Sequence, residues 1–225
     1  MKNFDFLIET KQDLIDAVND YGFVPLFRNS IPGFSVEEHV SRKAWFSSEE
    51  GVWEWKGPVI CETGCAYGKF FENKAVFVSR ECFPDLANYR RDGYDFDARN
   101  EDGLVPYRDN ELYNLLASNA PVVSKRLKYL GGYGRNGKNG FDTIITRLQS
   151  QCYAVISDFV YELDKHGNTY GWGIAEYSTP ELFLGEDFIN SVYSKEPGES
   201  YEIVLNHLKS ILPGADEKAL KKLLK

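Results

Sequence analysis

At 225 residues, with 43% apolar and 27% charged side chains, the chain has an ordinary globular composition: one large domain or two small ones, and no disordered or low-complexity polymer. A formal net charge of −8 argues against an obligate, non-specific binder of polyanions. No apolar run approaches the roughly 18 residues of a membrane span, and "MKNFDFLIETKQD" lacks a signal-peptide core, so a cytoplasmic location with Cys61, Cys65, Cys82 and Cys152 as thiols is expected.

The first predicted helix lies in "TKQDLIDAVNDYG", capped by Thr10 and closed near Gly22. A short second one starts at Ser35, where Ser35 and Glu38 fit a capping box. "EEGVWEWKGPVI" brings Trp53 and Trp55 close together, and "AYGKFFENKAVFVS" reads as two strands around a Glu72-Asn73-Lys74 turn. Helix returns in "CFPDLANYRR", and residues 92–106 form a polar candidate linker. Beyond it come helices in "RDNELYNLLAS" and "APVVSKRLKYLGG". In "GFDTIITRLQSQ", Phe141, Ile144, Ile145 and Leu148 have the spacing of a buried helical stripe. A hairpin follows, with Tyr153, Val155, Phe159, Tyr161 and Leu163 on one face and a reversal at His166-Gly167-Asn168. "STPE" then opens a helix capped by Ser178.

Three helices followed by a hairpin is the order of a winged helix-turn-helix module, in which the third helix enters the major groove. The expected fold class is therefore α/β of the α+β type, mostly helical with short antiparallel hairpins. Residues 1–103 would form a winged-helix-like unit, 104–180 a winged helix-turn-helix domain and 181–225 a helical tail. Charge is uneven. Residues 124–147 hold six cations (Lys125, Arg126, Lys128, Arg135, Lys138 and Arg147) against Asp142 alone. The polar stripe Thr143, Thr146, Arg147 and Ser150 lies opposite the apolar one on the third helix. With Lys125, Arg126, Arg135 and Lys138, and with Lys165 and His166 at the hairpin tip, it makes a candidate DNA-facing surface. An ordinary solvated helix and loop would look the same.

Two segments carry a resemblance: "YGKFFENKAVFVSRECFPDLANYRR" and "FDTIITRLQSQCYAVISDFVYELDKHGNTYGWGIAEYSTPE". Together they are similar to the bacterial AlkZ-related proteins, relatives of the AlkZ/YcaQ DNA glycosylases, over roughly residues 50–185. The resemblance implies two winged-helix-like units, the first less regular. It carries over no catalytic residue. The parent enzymes hold a Gln-x-Gln or Gln-x-Asp motif near their N-terminus, and residues 1–60 contain neither. Gln149-Ser150-Gln151 copies the spacing at the end of a helix, where it reads as chance.

Base excision needs stacking aromatics and a carboxylate or amide near an extruded base. If such a pocket exists, it is expected between the halves, near Tyr67, Lys69, Ser79 and Trp172. No metal is expected, since Cys61-x3-Cys65 has no second pair, and no cofactor, since no phosphate-binding loop follows a strand. "GGYGRNG" follows a helix instead. The expected function is nucleic-acid binding in a DNA-repair setting, with DNA as partner and catalysis not evident. The alternatives are an active glycosylase and a protein-interaction module.

Overall fold

The computed structural model describes residues 4–47, 50–191 and 193–225. Thr10 and Asp13 cap each other: Thr10 Oγ1 accepts the Asp13 amide hydrogen, and the Asp13 carboxylate accepts that of Thr10. This starts α1 (Lys11–Tyr21), which Gly22 closes. Next come β1 (Phe23–Pro25), the short α2 (Val36–His39) and α3 (Arg42–Trp45), and α4 (Val52–Thr63). The hairpin β2 (Ala66–Phe71) and β3 (Lys74–Val78) turns through Glu72 and Asn73, both at positive φ (49° and 57°), the pair of conformations a tight hairpin requires. Strand β1 pairs with β3, the outer strand of that hairpin.

Helix α5 (Phe83–Arg91) leads to the stretch expected to be a linker, which instead carries α6 (Phe96–Glu101). The Asp95 carboxylate caps it by accepting the Ala98 amide hydrogen (2.7 Å), and Phe96 anchors it in the core. Then the opening order returns: α7 (Tyr107–Asn119), β4 (Val122–Val123), α8 (Ser124–Leu130), α9 (Phe141–Ser150), β5 (Val155–Leu163) and β6 (Thr169–Ser178). Again the lone strand pairs with the outer strand of the hairpin, β4 with β6. The inner strands of the two hairpins meet at Tyr67 opposite Ile156, giving one antiparallel sheet in the order β1-β3-β2-β5-β6-β4. The molecule is thus a mixed α+β fold with an internal structural repeat.

The single face expected along β5 does not persist. Register shifts follow Ile156 and Val160, so Tyr153 and Val155 are buried while Leu163 is 62% exposed. The next helix, α10 (Pro180–Leu184), starts one residue later than expected, because Thr179 supplies the cap to the Leu182 amide. Helices α11 (Glu186–Asn190), α12 (Pro197–Ile211) and α13 (Glu217–Leu223) complete the chain. The apolar side chains of the tail face inward: Leu208, Ile211, Leu220, Leu223 and Leu224 are buried in the common core, and Leu212 packs half-buried against it.

One buried cation ties these layers together. Arg91, at the end of α5, has no solvent exposure. Its Nε and Nη2 both donate to the Cys152 carbonyl, and its Nη1 reaches Glu181 (2.6 Å) and the Tyr193 hydroxyl (2.7 Å). Burial opposes the charge, but the Glu181 carboxylate and the Tyr193 hydroxyl raise the guanidinium pKa above its ordinary value.

Candidate functional site

The Phe141, Ile144, Ile145 and Leu148 stripe of α9 is buried, which turns Thr143, Thr146, Arg147 and Ser150 away from its own core. Part of that polar face is already occupied. Strand β2 of the first half crosses it, and the Lys69 ammonium donates to Thr146 Oγ1 (3.1 Å). The Lys69 amide donates to Gln149 Oε1 (3.2 Å), while Gln149 Nε2 donates to the Ile145 carbonyl (3.1 Å). Beside this crossing lies a cleft of about 560 Å³ lined by Lys69, Asn73, Asp142, Thr143, Thr146, Arg147 and Ser150. Its walls offer hydrogen-bonding groups of both kinds, suited to a polar ligand. Gln149, the first residue of the Gln-Ser-Gln run, is fully buried and serves as a bracket between the halves.

The cations crowded together in sequence are largely compensated in space. Lys125 pairs with Glu162, Lys128 with Asp142 (3.2 Å) and Lys138 with Glu111 (2.5 Å). Arg147 grips Asp109 through Nε and Nη2, both at 2.5 Å, and Asp109 is only 1% exposed. The bidentate contact with that carboxylate raises the Arg147 pKa further. Arg126, lying over the Tyr129 ring, and Arg135, in the glycine-rich loop, are exposed and have no carboxylate partner among the described residues. Lys165 and His166 are exposed at the tip of the β5–β6 hairpin. The neighbouring Asp164 carboxylate accepts the amide hydrogens of His166 and Asn168, which holds its pKa below the ordinary value.

The four residues expected to share a pocket are distributed differently. Lys69 lines the cleft against α9. Ser79 is buried, and its hydroxyl accepts the Cys82 amide hydrogen ahead of α5. Tyr67 is buried with its ring against Phe77 and Phe159, and burial pushes its phenol pKa far up. Trp172 is 76% exposed, 6.0 Å from the Trp53 ring.

Trp172 belongs to a second crossing, where β5 of the second half runs over α4 of the first. The fit there is close: a Cβ on Gly57 would stand 2.6 Å from Asp158 Oδ1. At the preceding residue, the Lys56 ammonium lies 4.9 Å from the Trp53 ring centroid and 4.1 Å from that of Phe159. Burial lowers its pKa to about 8, the nearby Glu54 opposing only in part. Sequence reasoning missed Lys56 because Gly57-Pro58 suggests a break, whereas α4 continues through Pro58 to Thr63. Read as helix, Trp53 and Lys56 stand three residues apart on one face, and that spacing was the available signal.

The thiols offer little reactivity: burial pushes Cys65 and Cys152 each up to about 12. Among the described residues, no group of three or more His, Cys, Asp or Glu is disposed to hold a metal ion, and no helix is long and apolar enough to cross a membrane.

No curated protein and no solved structure matches the chain. The model of one family, described as "AlkZ related", matches residues 8–225, extending well beyond the two segments that first suggested the likeness. The two-fold order of helices and hairpins, the brackets between the halves and the buried tail all fall within this span, and the chain belongs to the AlkZ-related family.

Proposed function

We propose that the protein is a DNA-repair-associated nucleic-acid binder built from two winged-helix units, residues 1–103 and 104–180, with residues 181–225 as a helical tail. In each half the lone strand pairs with the outer hairpin strand, the arrangement expected of a winged helix, and this supports the reading. Membership of a family named for its relation to AlkZ supports the DNA-repair setting. The observation that carries the proposal is the polar cleft between the β2–β3 turn and α9, with Lys69 and Arg147 among its hydroxyl and amide groups.

The mode of contact follows from the ion pairs. With Lys125, Lys128, Lys138 and Arg147 engaged by carboxylates, few cations are free to release counterions from a phosphate backbone. Binding would rest on short-range hydrogen bonds in the cleft plus Arg126, Arg135 and Lys69. Fluorescence anisotropy with duplex and single-stranded DNA at several salt concentrations tests this. Three phosphate contacts predict a log–log salt slope of about −2 to −3, falling by about two units in Arg126→Ala/Arg135→Ala. Equal, negligible binding by both proteins removes the proposal. It favours the second reading, a protein-interaction module, which the compensated cations and the exposed Tyr107, Tyr129 and Leu163 support.

A further inference from the structure

Arg147 stands between two hollows, and the proposed function uses only one of them. The polar cleft against β2 and a second hollow of about 330 Å³ share Thr143 and Arg147, so the two meet along one face of α9. The second lies between α9 and the start of α7, where Tyr107, Arg108 and Asp109 line it. The guanidinium between them is set to donate in one direction. Nε and Nη2 are both taken by the Asp109 carboxylate at 2.5 Å, and Asp109 is almost fully buried, so the plane of the fork is fixed from behind. Nη1 has no partner among the described residues, and the side chain is 41% exposed. In the adjoining cleft Thr143 offers a hydroxyl, and the Lys69 ammonium, which gives one hydrogen to Thr146 Oγ1, keeps others to donate. The carboxylate in that wall, Asp142, is held by Lys128 (3.2 Å). Donors so placed match the oxygens of a phosphodiester.

An independent observation lies at the other end of the groove. Tyr107, the first residue of α7, is 80% exposed, and it lines the same hollow as Arg147. An aromatic ring open to solvent beside fixed phosphate donors is the pairing that single-strand binders use, the backbone held in a polar groove and a base stacked on the ring. A duplex keeps its bases stacked on one another, and a hollow of about 330 Å³ has room for a base-sized group but not for a double helix. We infer that this groove takes a single strand of DNA, one backbone phosphate accepting from Arg147 Nη1 and the neighbouring base stacking on Tyr107. The inference rests on the nucleic-acid reading above and narrows it to unpaired strand. Asp109 acts here as a positioning residue, aiming the fork without touching the strand. Because Arg147 and Asp109 together carry no net charge, this contact is a directional hydrogen bond and adds little to the counterions released on binding.

Fluorescence anisotropy on the full chain, comparing a single strand of about twelve nucleotides with the matching duplex, tests this. Wild type should bind the single strand at least about ten-fold more tightly. Tyr107→Ala, a change at an exposed position that leaves the core intact, should weaken single-strand binding on the order of ten-fold and leave duplex binding as it was, erasing the preference. Arg147→Lys keeps the charge but loses the fork that Asp109 aims, and should weaken single-strand binding several-fold. A wild type that binds both forms equally, or a Tyr107→Ala chain that keeps the preference, overturns the inference and leaves the nucleic-acid reading standing. Binding of neither form by wild type removes that reading and the inference with it.

Discussion

The helix that precedes the hairpin in each half is crossed by the other half's hairpin, and the two crossings have opposite chemistry. Over α9, strand β2 brings polar groups that find partners: Lys69 to Thr146 and Gln149, and beside them Arg147 to the buried Asp109. Over α4, strand β5 brings Phe159, and the bulge in β6 sets Trp172 against Trp53, so the local cation, Lys56, lies over the Trp53 and Phe159 rings and is ion-paired to no carboxylate among the described residues. One crossing uses its charges to hold the halves together, while the other tolerates a charge that its surroundings disfavour. A fold that repeats a topology need not repeat its electrostatics.

The largest effect expected from breaking this contrast is at Arg147. Arg147→Ala leaves the Asp109 carboxylate buried without its bidentate partner, and since Arg147 is itself 41% exposed the loss should be about 2–3 kcal/mol, read as a lowered urea midpoint at unchanged m. Asp109→Asn in the same chain should recover part of it. Next comes Gln149→Leu, which keeps the volume but strands the Lys69 amide hydrogen; about 1–2 kcal/mol should be lost. An unchanged midpoint there would mean that the bracket between the halves contributes nothing. Lys56→Met should have the smallest effect and the opposite sign, a gain of about 1 kcal/mol at pH 7, because it removes a poorly solvated charge while forfeiting two cation–π contacts.

Most of the secondary structure was legible in the residues, because local chemistry decides it. Thr10 with Asp13, the apolar stripe of α9 and the Glu72-Asn73 turn each form as their patterns require. The two-fold arrangement came from the resemblance and not from the residue pattern: the two halves share pairing topology but little side-chain pattern, with a short hairpin in one and a long one in the other. Candidate site residues were legible as types and not as neighbours. Positive charge at 124–147 follows from counting, but its compensation depends on Asp109, Glu111 and Glu162, which the fold brings in from elsewhere in the chain. Lys56 was hidden for a local reason, since Pro58 disguises the helix that sets it on the same face as Trp53.

The contrast between the crossings is tested most directly by urea unfolding of wild type and Lys56→Met at pH 7 and again near pH 10.5. In the folded protein Lys56 loses its proton around pH 8, against 10.5 for an unperturbed lysine. Between those values the unfolded chain binds more protons, so wild-type stability rises relative to the variant. The variant should therefore be the more stable protein at pH 7, with its advantage fading as pH climbs toward 10.5. A variant less stable than wild type at pH 7, by a margin that does not change with pH, would contradict the account: Lys56 would then be a stabilising cation like Arg147, and the two crossings would be alike.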